Sequence, residues 1–153
     1  MAEQKVTTNR QARFNYLVFD KFEAGICLNG SEVKSIREGS VSLQDSFVRF
    51  DSGEAYVFNM HIKPYAYSRN HEEPTRMRKL LLNRAEIDKL EGRVTKKGFT
   101  CIPLSLYFNK RGRVKIEIAL CQSKKLHDKR EALKKRDDLR EMDRAMKRRS
   151  KPK

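Results

Sequence analysis

The side chains that could carry a reaction in this 153-residue chain are few and scattered. His61, His71 and His127 lie far apart, and each reads as a surface or structural histidine. Asp45 and Glu54 read as ordinary strand-edge carboxylates. There is no Gly-rich phosphate loop, no Gly-x-Ser-x-Gly and no His-Glu-x-x-His. Cys27, Cys101 and Cys121 are odd in number and widely spaced, with no Cys-x-x-Cys and no Cys/His set at zinc-ligand spacing. They read as small buried apolar residues. No catalytic residue, metal or cofactor is expected, and the chain reads as a binding protein rather than an enzyme.

The chemistry in surplus is cationic. Lys and Arg number 35 against 20 Asp and Glu, a formal net charge of +15. Such an excess self-repels and points to a polyanionic partner: RNA, DNA, an anionic membrane surface or an acidic protein. In Arg76-Met77-Arg78-Lys79 the cations precede Leu80-Leu81-Leu82. That run is either a buried strand with a basic flank or a phosphate contact beside an exposed apolar knob, and the residues alone leave both open. No run of ~18 apolar residues is present, so no span of a bilayer is expected. Met1–Val6 lacks the apolar core of a signal peptide, so a cytoplasmic protein is expected.

The elements that must position these cations are mostly strands. Residues 1–12 are polar and aperiodic and read as a mobile leader. The stretch from Arg13 to Phe19 is aromatic and β-branched, and Phe22–Leu28 continues it with Gly25 as a bulge or bend. Ser31 is placed to cap a helix over Glu32–Arg37 that Gly39 ends, with Val33 and Ile36 facing the body. Phe47–Asp51 and Glu54–Met60 flank Ser52-Gly53, a hairpin signal. Pro64 to Pro74 reads as a loop. Asn83 to Glu86 reads as a capping box for a helix burying Ile87, Leu90 and Val94. Phe99–Phe108 and Arg113–Cys121 read as a long hairpin, with Ile102, Leu104, Leu106 and Phe108 sharing one face. The pattern predicts a mainly β fold: a small closed antiparallel OB-like β-barrel with two to three peripheral helices.

Composition changes near Gln122. Residues 122–153 hold 14 basic and 6 acidic side chains, a net +8, which leaves +7 for residues 1–121. Leu139, Met142 and Met146 recur at helical spacing, a stripe too thin to fold the segment alone. The chain therefore divides into an RNA-binding barrel over 1–121 and a flexible basic C-terminal tail over 122–153. The tail is expected to be disordered alone and helical when bound. A membrane helix would need bulkier apolar residues than Ala, Leu and Met, so no membrane partner is expected.

Several ordered blocks are more specific. Phe22-Glu23-Ala24-Gly25-Ile26, Gly30-Ser31-Glu32-Val33-Lys34-Ser35-Ile36-Arg37, Asp45-Ser46-Phe47, Met60-His61-Ile62-Lys63-Pro64-Tyr65, Pro74 to Asn83 and Lys125-Leu126-His127-Asp128-Lys129-Arg130 resemble, in order, the SmpB family of SsrA (tmRNA)-binding proteins. The resemblance runs from Asn9 to about Arg149. It implies an OB-like barrel that binds the tRNA-like domain of tmRNA and delivers it to stalled ribosomes. The protein then stands in for the missing anticodon arm in trans-translation.

The resemblance also implies residue roles. Asn9, Glu23, Leu81, Asn83 and Lys115 fall on tmRNA-contact positions. His127, Asp128, Lys129 and Arg130 fall on the tail motif that meets the decoding centre of the small ribosomal subunit and its rRNA. Met146 falls on a later apolar tail position tied to accommodation. A monomer is expected. Three features depart from the family pattern: Ser123 stands where Gly is usual, the Asn109–Gly112 turn is one residue longer, and Asp138 stands where some relatives carry an aromatic. The alternative from residue patterns is an OB-like ribosomal or ribosome-assembly protein that binds rRNA stably.

Overall fold

A computed structural model of the protein describes residues 3–69, 73–96, 98–124 and 126–150, with backbone alone for 126–133 and 148–150. It divides into two units, residues 1–123 and 124–153.

The first unit is built on a ring of antiparallel strands. Helix α1 (Arg10–Asn15) runs directly into the long strand β2 (Tyr16–Ile26), so the segment read as one strand from Arg13 starts as a helix. Helix α2 (Gly30–Arg37) follows, then β3 (Val41–Ser42), the hairpin β4 (Phe47–Asp51) and β5 (Glu54–Phe58), and β6 (His61–Ile62). After the loop come β7 (Arg78–Leu81), helix α3 (Arg84–Val94) and the long hairpin β8 (Phe99–Phe108) and β9 (Val114–Ser123). The strands β8-β4-β5-β7-β2-β9 hydrogen-bond in sequence, and β9 pairs with β8 to close the ring. This is the expected OB-like barrel with three peripheral helices.

Local chemistry explains the turns. Ser52 and Gly53 both take positive φ, 52° and 76°, as the tight β4–β5 turn demands. In the β8–β9 turn, Asn109 Oδ1 accepts the N–H groups of Arg111 (3.0 Å) and Arg113 (2.9 Å), and Gly112 takes φ 76°. Asn83 is the N-cap of α3 but makes no side-chain cap hydrogen bond, so the expected capping box is not formed.

Three other expectations are corrected. Residues 4–8, read as part of a mobile leader, form strand β1 (Gln4–Thr8), which pairs with the upper half of β8. Polar side chains hid it, because one face of this edge strand meets solvent. Gly25 sits in regular register, and the irregularity in β2 lies between Val18 and Asp20. The apolar residues of β8 do not share one face either. Its register shifts between Pro103 and Ser105. Leu106 and Phe108 therefore join the barrel interior with Ile116, Ile118 and Leu120. Ile102 and Leu104 pack with Ala12, Ala119 and Cys121 in a second cluster beneath α1. A bulge inserts one residue and so reverses which face follows it.

The second unit holds helix α4 (Leu126–Ser150). Its described side chains, from residue 134 to 147, are all exposed. Among the described residues, no helix is long and apolar enough to cross a membrane.

Candidate nucleic-acid interface

Directly opposed residues on antiparallel strands share a face. Leu81 pairs with Gly25, Gly25 with Lys115, Lys115 with Tyr107 and Tyr107 with Lys5. One row therefore crosses five strands on the outside of the barrel: Leu81, Gly25, Lys115, Tyr107 and Lys5. At roughly 4.8 Å per strand, it spans about 19 Å.

Each member has a local reason for its place. β7 alternates, so Leu80 is 1% exposed while Leu81, next to it, is 54% exposed. Gly25 leaves little room above it for a side chain. A Cβ there would stand 3.2 Å from Leu81 Cβ, so only glycine leaves Leu81 its space over the sheet. Lys115 is half-buried between Gly25 and Tyr107. Two residues along β2 from Gly25, Glu23 stands directly opposite Glu117 of β9. Like charges directly opposed in a sheet are unfavourable. Glu23 is held by the Tyr107 hydroxyl, which donates to its Oε2. Burial, then this hydrogen bond and the Glu23 charge, push the Tyr107 hydroxyl above its usual range, so it stays protonated as a donor. Asn83 is exposed two residues beyond Leu81, with its amide unspent on the helix cap. The result is an apolar platform, a cation and a carboxylate acceptor close together across β7, β2 and β9, with the Asn83 amide at the start of α3 two residues after the platform.

Asn9 is not in this group. It is 6% exposed at the start of α1. Its side-chain amide donates to the carbonyls of Leu43 and Pro103, both at 3.1 Å, and its Oδ1 accepts the Ala12 N–H at 3.2 Å. Those bonds tie α1, the turn after β3 and the middle of β8 together. His127, Asp128, Lys129 and Arg130 lie on α4 with side chains outside the described residues, and Met146 is 65% exposed. His71 also lies outside the described residues.

The structure divides the alternatives at Arg76–Leu82: Arg78 is buried and Lys79 is exposed, while Leu81 is an exposed apolar knob. Arg78 is 1% exposed, and its Nε and Nη2 donate to Glu32 Oε2 at 2.6 and 2.5 Å. It also donates to the carbonyls of Met60 (2.7 Å) and Pro74 (3.1 Å). Arg76 pairs with the same carboxylate, and Glu32 Oε1 further accepts the Asn29 N–H at 3.0 Å. Burial alone would raise the Glu32 carboxyl; the bonds from Arg76, the Asn29 backbone and Arg78 outweigh it and hold the group below its ordinary value. Lys79 pairs with Glu54 at 2.9 Å. These cations are therefore engaged within the fold.

Sequence reasoning missed Tyr107 and Lys5. Alternation between buried Leu106 and Phe108 marks Tyr107 as outward, but its bond to Glu23 spans 84 residues of sequence. Among the described residues there is no group of three or more His, Cys, Asp or Glu able to hold a metal. Of the three cysteines read as buried, Cys27 is exposed; the Cys101 and Cys121 thiols are buried and raised by it, Cys121 to about 11, which keeps them unreactive.

The SmpB protein family profile matches residues 6–148. An SsrA-binding protein of Nostoc sp. is 55% identical over 144 residues, covering 93% of this chain and 92% of its own. Those of Persephonella marina and Trichodesmium erythraeum are 54% and 52% identical over 143 and 144 residues, each covering 93% of this chain. A chain from a solved structure described as "tmRNA-SmpB: a journey to the center of the bacterial ribosome" aligns with a TM-score of 0.69 at 44% identity. The alignment covers 83% of this chain and 93% of that one. With a profile match over nearly its whole length and relatives above half identity, this chain belongs to the SmpB protein family.

Proposed function

We propose that this protein is a non-catalytic RNA-binding adaptor of ribosome rescue. Its barrel binds the tRNA-like domain of tmRNA, brings that RNA to a stalled ribosome and substitutes for the anticodon arm during trans-translation. The observation that carries this reading is the match of residues 6–148 to the SmpB family, among relatives named for SsrA binding. The chemistry of the outer row supports it. Leu81 offers an apolar platform to a base or ribose, and Lys115 meets a phosphate. Glu23 accepts from a base amino group or a 2′-hydroxyl, and Asn83 adds donors and an acceptor. Asn9 contributes to this reading through the fold, its amide tying α1, the turn after β3 and the middle of β8 together.

The basic tail addresses the ribosome. The structure of the chain alone gives Leu126–Ser150 as a helix; with only a thin apolar stripe to bury, that helix is taken to melt in the free protein and to be held by a partner. In the decoding centre His127 stacks on an rRNA base, Lys129 and Arg130 bind phosphates beside Asp128, and Met146 contributes apolar contact during accommodation. The protein works as a cytoplasmic monomer without a cofactor.

Two variants test the two ends. Lys115→Glu weakens binding of the tRNA-like RNA and flattens its dependence on salt, read by titration at several salt concentrations. An unchanged slope removes Lys115 from the interface. Deleting residues 128–153 leaves RNA affinity near wild type and abolishes tagging of stalled chains. Equal loss of both refutes the two-ended scheme, and stable purification with ribosomal subunits lacking tmRNA favours an rRNA-binding assembly protein.

A further inference from the structure

A cleft at the α2 end of the barrel lies beyond the interface described above and shares only Lys5 with its row. It holds about 530 Å³ between β1, the C-terminal end of α2 and the β8–β9 turn, within the size range of small-molecule sites. Val6, Ile36 and Phe108 line its floor, with Ile36 fully buried, Phe108 8% exposed and Val6 partly open. Arg37 lies over the Phe108 ring, its guanidinium carbon 6.0 Å from the ring centroid, and is itself exposed. An exposed guanidinium plane beside an aromatic ring is a surface on which a base can stack. Lys5 also lines the cleft, and it is the last member of the row that begins at Leu81. RNA lying along that row is thus led to the cleft mouth. Glu38 brings a carboxylate to the same cleft.

This combination selects among polyanions. A free anion would use Lys5 and Arg37, leave the apolar floor empty and be opposed by Glu38. An acidic peptide would meet the same opposition. A nucleotide uses every part. We propose that the cleft receives one nucleobase unstacked from the bound RNA. The base lies on Arg37 over Phe108, its phosphate meets Lys5, and its exocyclic amino group donates to Glu38. Proteins read RNA chiefly at such splayed-out bases, where stacking is tolerant and edges are open. The inference rests on the reading of the barrel as a tmRNA-binding body.

The test uses the full chain and the tRNA-like RNA. Arg37→Lys keeps the charge and removes the plane. Affinity is expected to fall about 5- to 100-fold from loss of one stacked base. The salt dependence stays unchanged because the charge is kept. One base protected from dimethyl sulfate by wild type becomes reactive, and the variant's unfolding midpoint confirms that it is folded. Wild-type affinity and protection in Arg37→Lys overturn the cleft proposal alone if Lys115→Glu still weakens binding. If wild type does not bind the RNA, the tmRNA reading falls and the cleft falls with it. A second arm titrates the protein with adenosine monophosphate and with inorganic phosphate, reading the Gly39 and Gly112 amides by NMR. Shifts with the nucleotide only are expected; equal shifts with phosphate make the cleft a general anion site and overturn the proposal.

Discussion

Glu32 shows how much one side chain can organise. It caps the start of α2 by accepting the Asn29 N–H, and it is the counter-charge for Arg76 and the buried Arg78. Arg78 in turn ties down the carbonyls of Met60 and Pro74, at the two ends of the loop before β7. Removing one partner from a buried pair leaves a charge without compensation. Glu32→Gln should therefore lower unfolding stability by about 3–5 kcal/mol, measured by denaturant titration at neutral pH. The carboxyl is held below its ordinary 4.5, so its contribution is fully present above that pH and is lost as pH falls through the lowered value. Wild type should lose stability faster than Glu32→Gln on acidification below pH 4.5. Parallel curves would mean that the pair contributes nothing specific.

Strand β1 belongs to the scale of elements. It covers the edge of β8 from Ser105 to Phe108 and places Lys5 opposite Tyr107. Val6 packs against the barrel interior from this strand. Truncating residues 1–8 should lower the stability of the body by on the order of 2 kcal/mol, from lost cross-strand pairs and the Val6 contact. It also exposes an unpaired strand edge, which promotes association. A mobile leader would leave the denaturant midpoint and the sedimentation behaviour unchanged, so the two measurements together decide the point. The β8 bulge acts at the same scale. By reversing faces between Pro103 and Ser105, it lets one strand serve the barrel interior at one end and the α1 cluster at the other.

At the scale of the molecule, the charge is divided between two kinds of polypeptide. The barrel carries +7 on a surface fixed by strand register, and residues 122–153 carry +8 on a segment with little to bury. Among the described side chains of α4, Leu139, Met142 and Met146 are 64%, 58% and 65% exposed. A helix gains most of its stability in proteins from packing an apolar face, and this one has only a thin stripe. Amide exchange of the free protein should show residues 128–150 exchanging with little protection, against strong protection in β8 and β9. Slow exchange along the tail would contradict the proposal that it is disordered in isolation. Addition of ribosomes should then slow exchange in the tail selectively.

The sequence alone determined the surplus of cations, the run of strands and turns from which a β-barrel follows, and the change of composition near Gln122. Those properties are local: alternation, turn residues, capping and net charge are all set by neighbours in the chain. It also carried the ordered blocks by which the family is legible. Only the tertiary structure decided which residues share a surface. Glu23, Leu81 and Lys115 gather on one face because β7, β2 and β9 are neighbours in the ring, and Asn9 is drawn inside by carbonyls 34 and 94 residues away. The cations of Arg76–Lys79 looked available in sequence and are engaged in the fold, since their carboxylate partners lie on other elements. Register and long-range pairing depend on the whole closed sheet, which no window of sequence contains.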